Sequence, residues 1–205
     1  MVEFHIGTKL EDIARALYSP DAIGVVSLLH AIPVGFRTKL LEQLRAAPYE
    51  QAPPLYKHTC QDFSRFSSET HPLETLPESL SFIAELASVH KRLYHELGEI
   101  AGFERTAKTT YNAHRYPSTR QGLGIHRDES IYRNLVAIYV LSGDREFIAA
   151  RERDVSCAEF IQNPPGSIIF LRAPRTDSEK TLRPYHGVLA VNSPSHIISF
   201  RHEVA

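Results

Sequence analysis

The sequence predicts an α+β protein, with helices that precede and support a jelly-roll or sandwich core of short strands. Two observations carry that expectation. Apolar residues recur with a period near 3.6 in the first hundred residues, whereas after Gly102 they fall into short β-type runs separated by Pro, Gly, Asn, Asp and Ser. Many short strands with turn residues between them point to a closed or double-layered sheet. The 205 residues, 42% hydrophobic and 23% charged, suffice for one domain with its own core, mainly helical over 1–104 and β-rich over 105–205.

Composition narrows the partners. A net charge of −1 gives no global attraction for nucleic acid, which leaves only a local basic groove for such a role. Two cysteines, Cys60 and Cys157, are too few for a disulfide framework or a thiolate zinc site, so a reducing cytoplasm is expected. The N-terminus carries Glu3, Glu11 and Asp12 and shows no export pattern. The most apolar run, Ala22 to Phe36, is shorter than a bilayer span and contains His30 and Pro33, so no membrane role is expected and the run reads as a buried helix and turn.

In chain order, Leu10, Ile13, Ala14 and Leu17 stand at helical spacing over Lys9 to Tyr18, with Thr8 as N-cap candidate and Glu11 three residues on. A second helix can start at Asp21 and run to Leu29, and a third spans Phe36 to Ala46. Pro53 and Pro54 mark a loop, and the polar, aromatic stretch from Tyr56 to Ser68 suits a lid. The clearest helix runs from Pro77 to Gly102, with Leu80, Ile83, Ala87, Leu93, Leu97 and Ile100 on one stripe. His90 and His95 on it do not share a face, so neither reads as a metal ligand. Strands are expected over Lys108–Tyr116, Asn134–Leu141, Glu146–Ala150, Ser167–Arg172, Gly187–Val191 and Ser195–Arg201.

The chemistry concentrates in Gly122-Leu-Gly-Ile-His-Arg-Asp128. In a strand, positions i and i+2 point to one face, so His126 and Asp128 can present an imidazole and a carboxylate together while Arg127 faces away. Tyr185-His186-Gly187 offers a second imidazole beside a residue that permits close backbone approach. Two imidazoles and one carboxylate form the facial set expected of non-haem Fe(II), with three positions left open.

Further stretches give this pattern a family. Tyr111-Asn-Ala-His-Arg-Tyr-Pro117, Gly124-Ile-His-Arg-Asp-Glu129, Pro165-Gly-Ser-Ile-Ile-Phe170, Tyr185-His-Gly-Val188 and Ile198-Ser-Phe-Arg201 resemble, in order, the double-stranded β-helix core of the Fe(II)/2-oxoglutarate dioxygenases, most of all the AlkB-like branch. The resemblance covers about half the chain. It implies that His126, Asp128 and His186 bind iron, that Arg201 binds a carboxylate of 2-oxoglutarate, and that Asn112 and His114 help hold this cosubstrate. It also implies O2-dependent oxidation of a C–H bond. Two positions depart from the branch. His114 stands where Tyr is usual, which would change protonation behaviour near neutral pH. Ser195 stands where the branch carries the first of two arginines six residues apart, so either another group, such as Arg133, Arg172 or His196, neutralises a distal carboxylate, or the cosubstrate is held differently, or 2-oxoglutarate is not used.

The substrate is expected to be a small molecule. Arginines in the 115–121 loop, at Arg133 or from Arg172 to Arg175 would, if they face the site, favour an acidic one such as an amino acid. Competing readings are an AlkB-type nucleic-acid demethylase, which would extrude a base, an Fe(II) oxygenase that does not use 2-oxoglutarate, and a jelly-roll binding protein with a structural zinc.

Overall fold

Leu135 to Leu141 is apolar at every position because it serves two cores. In the computed structural model, which describes residues 2–53, 55–56, 59–118 and 122–204, Leu135, Ala137, Tyr139 and Leu141 face the helices. Val136, Ile138 and Val140 face a second core enclosed by the sheet. Side chains alternate across a strand, so one covered on both faces has no polar side to show.

The elements, in chain order, are α1 (Leu10–Tyr18), β1 (Val25–Leu28), α2 (Val34–Ala46), β2 (Glu50–Gln51), β3 (Leu55–Tyr56), β4 (Thr59–Cys60), β5 (Ser64–Ser67), α3 (Ser81–Ala101), β6 (Lys108–Tyr116), β7 (Leu123–His126), β8 (Leu135–Ala150), β9 (Glu159–Phe160), β10 (Ile168–Arg172) and β11 (Tyr185–Glu203). An antiparallel sheet runs β1-β10-β8-β11-β6-β5-β2, with β7 on the far part of β11 and β9 on the far part of β8. β3 and β4 pair separately. The helices bury Leu17, Leu40, Ile83 and Leu86 against Tyr139, Phe170 and Phe200 of the sheet. Each such side chain contributes about 1.5–3 kcal/mol by leaving water.

Several local expectations change. In place of the helix expected from Asp21 to Leu29, Val25–Leu28 is a strand: Gly24 sits at φ +81°, and Val25 and Val26 pair with Leu171 and Phe170. The α1 N-cap position is Lys9, without a side-chain cap, so Thr8 does not play that role. Within Tyr56 to Ser68, Ser64–Ser67 is built into the sheet beside β6. His58 and Thr119 to Gln121 lie outside the described residues. α3 begins at Ser81 after a short 3-10 turn, and Ile100 faces solvent.

The largest difference is that four expected strands are two. β8 takes in Asn134–Leu141 (from Leu135) and Glu146–Ala150, and β11 takes in Gly187–Val191 and Ser195–Arg201. The turn residues between them, Gly143 and Pro194, are opposed where the β8/β11 register shifts. Gly143 has φ +83°, and a Cβ there would meet Ser195 Cβ at 2.5 Å and the Pro194 carbonyl at 2.6 Å. Both strands bend here without breaking.

His90 and His202 form a buried pair under α3. Their Nε2 atoms are 2.9 Å apart, with Tyr139 Oη 3.0 Å from His90 Nδ1 and Thr109 Oγ1 3.1 Å from His202 Nδ1. One ring donates and the other accepts, so the acceptor at least is neutral, and burial disfavours a charge on either ring. Burial, and for His90 also the His202 ring, lowers both pKa values, that of His202 to about 3.

Two outcomes are expected. Gly143→Ala should destabilise the protein by about 2–4 kcal/mol in denaturant unfolding, from left-handed strain plus overpacking, while Gly35→Ala, open to solvent, should be neutral or slightly stabilising. Stability from the neutral histidine pair is complete above the unfolded pKa near 6.5 and lost as pH falls toward 3. His202 alone should therefore remove about 2 kcal/mol between pH 7 and pH 5, and a pH-independent unfolding midpoint would contradict this.

Candidate active site

His126 and His186 are direct cross-strand partners in the β7/β11 pair. Opposed residues in an antiparallel pair project to the same face, and the two ring centroids are 4.4 Å apart. Gly187 makes the approach possible, since a Cβ there would lie 2.9 Å from the Leu123 carbonyl and 3.1 Å from Ile125.

Asp128 joins them from just beyond β7, not from within a strand as the i, i+2 pattern suggested. Arg183 donates to its backbone carbonyl, and Arg201 Nη2 lies 3.3 Å from Oδ1. The other oxygen, Oδ2, lies 3.7 Å from His186 Nε2. One ligand atom from each of His126, Asp128 and His186 lies within 4.8 Å of the others.

Protonation suits metal binding. Burial would raise the Asp128 pKa, but Arg201, His186 and His126 outweigh it and hold the carboxyl well below the usual range. Burial, then the neighbouring His126, pushes His186 down to about 4. His126 Nδ1 lies 2.9 Å from the Gly124 carbonyl, which can only accept, so Nδ1 is the donor and Nε2 is the nitrogen left to face a metal. Two imidazoles and one carboxylate could hold a divalent ion such as Fe(II).

Asn112, His114 and Arg201 line the same cavity of about 360 Å³, with Phe63 and Tyr132 among its other walls. Arg201 also donates from Nη1 to Ser199 Oγ at 2.8 Å. His114 stacks on Phe63 at 4.3 Å, and burial, then Arg201, pushes it down to about 3. It is therefore neutral at physiological pH, and the titration expected near neutrality does not occur.

With this geometry in place, similarity of fold can be weighed. No protein-family model and no curated protein matches the chain. Solved structures do. A prolyl hydroxylase from Trichoplax adhaerens, in complex with a hypoxia inducible factor peptide fragment, superposes at TM-score 0.69 with 13% identity, covering 95% of this chain and 90% of its own. A 2OG-Fe(II) oxygenase family oxidoreductase from Burkholderia pseudomallei gives 0.60 and 14%, covering 99% and 95%. Dioxygenase for auxin oxidation 1 from Arabidopsis thaliana, in its 2-oxoglutarate complex, gives 0.61 and 11%, covering 96% and 88%. The chain has the double-stranded β-helix fold of these oxygenases.

Within that fold, the groups proposed to replace the arginine absent at Ser195 are engaged elsewhere. Ser195 itself is buried and donates to the Ser142 carbonyl at 2.7 Å. Arg133 holds Asp177 and the Ser130 carbonyl, Arg172 the Leu182 and Ser19 carbonyls, and His196 Nδ1 lies 3.1 Å from Ser142 Oγ. Arg175 pairs with Glu179. None of these lines the main cavity, whose arginines among the described residues are, besides Arg201, Arg65, Arg127 and Arg153. Arg127 stands at the rim with its guanidinium over the Tyr185 ring, 4.1 Å from the centroid.

Phe63, Tyr116, Tyr132 and Arg145 were not singled out from the sequence. Arg145 had a readable signal, standing two residues before the apolar Phe147 and so on the same face of a strand. Side-chain ¹⁵N NMR of the metal-free protein should show His126 as the Nδ1-protonated tautomer. Protonation at Nε2 would contradict the arrangement.

Proposed function

We propose that the protein is a non-haem Fe(II) oxygenase that uses 2-oxoglutarate and O2 to oxidise a C–H bond of a small molecule. The observation that carries this reading is the convergence of His126, Asp128 and His186, one ligand atom from each within 4.8 Å of the others, beside an open cavity that His126 and Asp128 line. Fe(II) with 2-oxoglutarate would supply the oxidising power, with succinate and CO2 as coproducts.

The chain's own groups do the positioning. Arg201 gives one arm to Asp128, which keeps the carboxylate ionised, and remains charged beside the triad as a partner for a cosubstrate carboxylate. Asn112 can donate and accept at once from the adjacent strand. Neutral His114, packed on Phe63, and Tyr132 close the walls against water. The cavity volume suits a small molecule, and Arg65 and Arg153 at its mouth favour an anionic substrate such as an amino acid.

Membership of the AlkB-like branch rests on the sequence motifs, and the similar structures named above do not add to it. No helix among the described residues is long and apolar enough to cross a membrane.

Anaerobic titration should show one Fe(II) bound per chain, and 2-oxoglutarate should then produce a visible charge-transfer absorption. His126→Ala, Asp128→Ala and His186→Ala should each weaken metal binding by at least about 100-fold, the upper end of what loss of a ligand's supporting partner costs. A chain that binds zinc but shows neither the absorption nor O2 uptake would support a structural metal site instead.

A further inference from the structure

Arg145, on β8, is a buried cation that the triad does not use. It is 4% exposed. Its Nε and Nη2 donate to Asn163 Oδ1 at 3.3 and 3.1 Å, and Asn163 is itself pinned by Nδ2 to the Arg145 and Ile161 carbonyls at 3.2 and 2.8 Å. This collar fixes the guanidinium and leaves its charge uncompensated, because an amide is neutral. The remaining arm, Nη1, is buried without a hydrogen-bond partner, and among the described residues no carboxylate pairs with Arg145.

An unpaired buried charge is among the most destabilising features a core can hold, and an unfilled donor adds to it. Burial lowers the Arg145 pKa to about 10, with Tyr116 opposing the shift, so the group is still charged at neutral pH. A cation retained in this state calls for an anion that arrives from outside the chain.

The surroundings say where the anion would sit. Arg145 and Tyr116 stand in a narrow cavity whose other walls include His126, His186 and Arg201. His114, Leu123, His126 and Arg201 also line the outer cavity, so the narrow space is its inner end. Its volume of about 30 Å³ holds roughly two water-sized groups. That is room for a carboxylate and too little for a substrate.

Resting on the oxygenase reading above, we propose that Arg145 Nη1 binds the distal carboxylate of the 2-oxo dicarboxylate cosubstrate, with Arg201 left to the end nearest the triad. The charge has moved one strand sideways. Ser195 of β11 and Arg145 of β8 flank the same bend, with Arg145 opposite Val191 and Ser142 opposite His196. The serine hydroxyl is held at the bend, while the arginine on the neighbouring strand lines the cavity and keeps one buried donor unpartnered.

The test compares 2-oxoglutarate with 2-oxobutanoate, which has the same keto acid and no distal carboxylate, by anaerobic calorimetry on Mn(II)-loaded protein. The wild type should bind 2-oxoglutarate at least about tenfold tighter than 2-oxobutanoate, the scale of one charge-assisted hydrogen bond. Arg145→Gln should lose this preference with Mn(II) affinity and 2-oxobutanoate affinity unchanged. Arg145→Lys, which keeps the charge without the fork, should narrow the preference and serves if the glutamine variant does not fold. A wild type that discriminates while both variants discriminate equally well would overturn the assignment and leave the oxygenase reading intact. A wild type that binds Mn(II) but neither acid would overturn both.

Discussion

The bend shared by β8 and β11 is the constraint on which the site depends. His186 and Arg201 belong to one strand and stand fifteen positions apart, a span of roughly 50 Å if that strand ran straight. Yet both reach Asp128, at 3.7 and 3.3 Å. Folding the strand over Gly143 and Pro194 brings its two halves to opposite walls of one cavity. The left-handed backbone at Gly143, with Pro194 and Ser195 filling the space a side chain would need, makes that fold-over specific.

Asp128 then ties the two walls together electrically. It is a carboxylate in a largely buried place, kept ionised against the cost of burial chiefly by the Arg201 guanidinium. Removing either of these groups leaves the other poorly matched, because the charges were desolvated together. Burial, and then the neighbouring His126, pushes His186 into its neutral form. A divalent ion would complete this balance by taking the lone pairs that the groups cannot give one another.

Much of the site was legible in the sequence because its chemistry is carried by residue type. His126, Asp128 and His186 could be read from one short motif and one Tyr-His-Gly, and Lys108–Tyr116 from its β-type run. The position of Asp128 was reached by a pattern that the backbone does not follow, since the strand ends at His126. Val25 and Val26 were read as helix because an apolar run shows no period, and only their partners on β10 decide the matter. The bends misled in a similar way. Gly143 and Pro194 carry turn chemistry, and nothing local distinguishes a turn that ends a strand from a bulge that redirects one. Breaking β8 there also hid Arg145, which fell in the supposed turn. The fates of Arg133, Arg172 and Arg175 were out of reach, because their carbonyl and carboxylate partners are set by tertiary contacts.

The most direct measurement is a crystal structure grown anaerobically with Mn(II) and 2-oxoglutarate. One metal ion should be held by Nε2 of His126, a carboxylate oxygen of Asp128 and Nε2 of His186, with the keto acid on the open side. A metal bound at other residues, or one closed off by a fourth side chain, would contradict an oxygenase centre in this cavity.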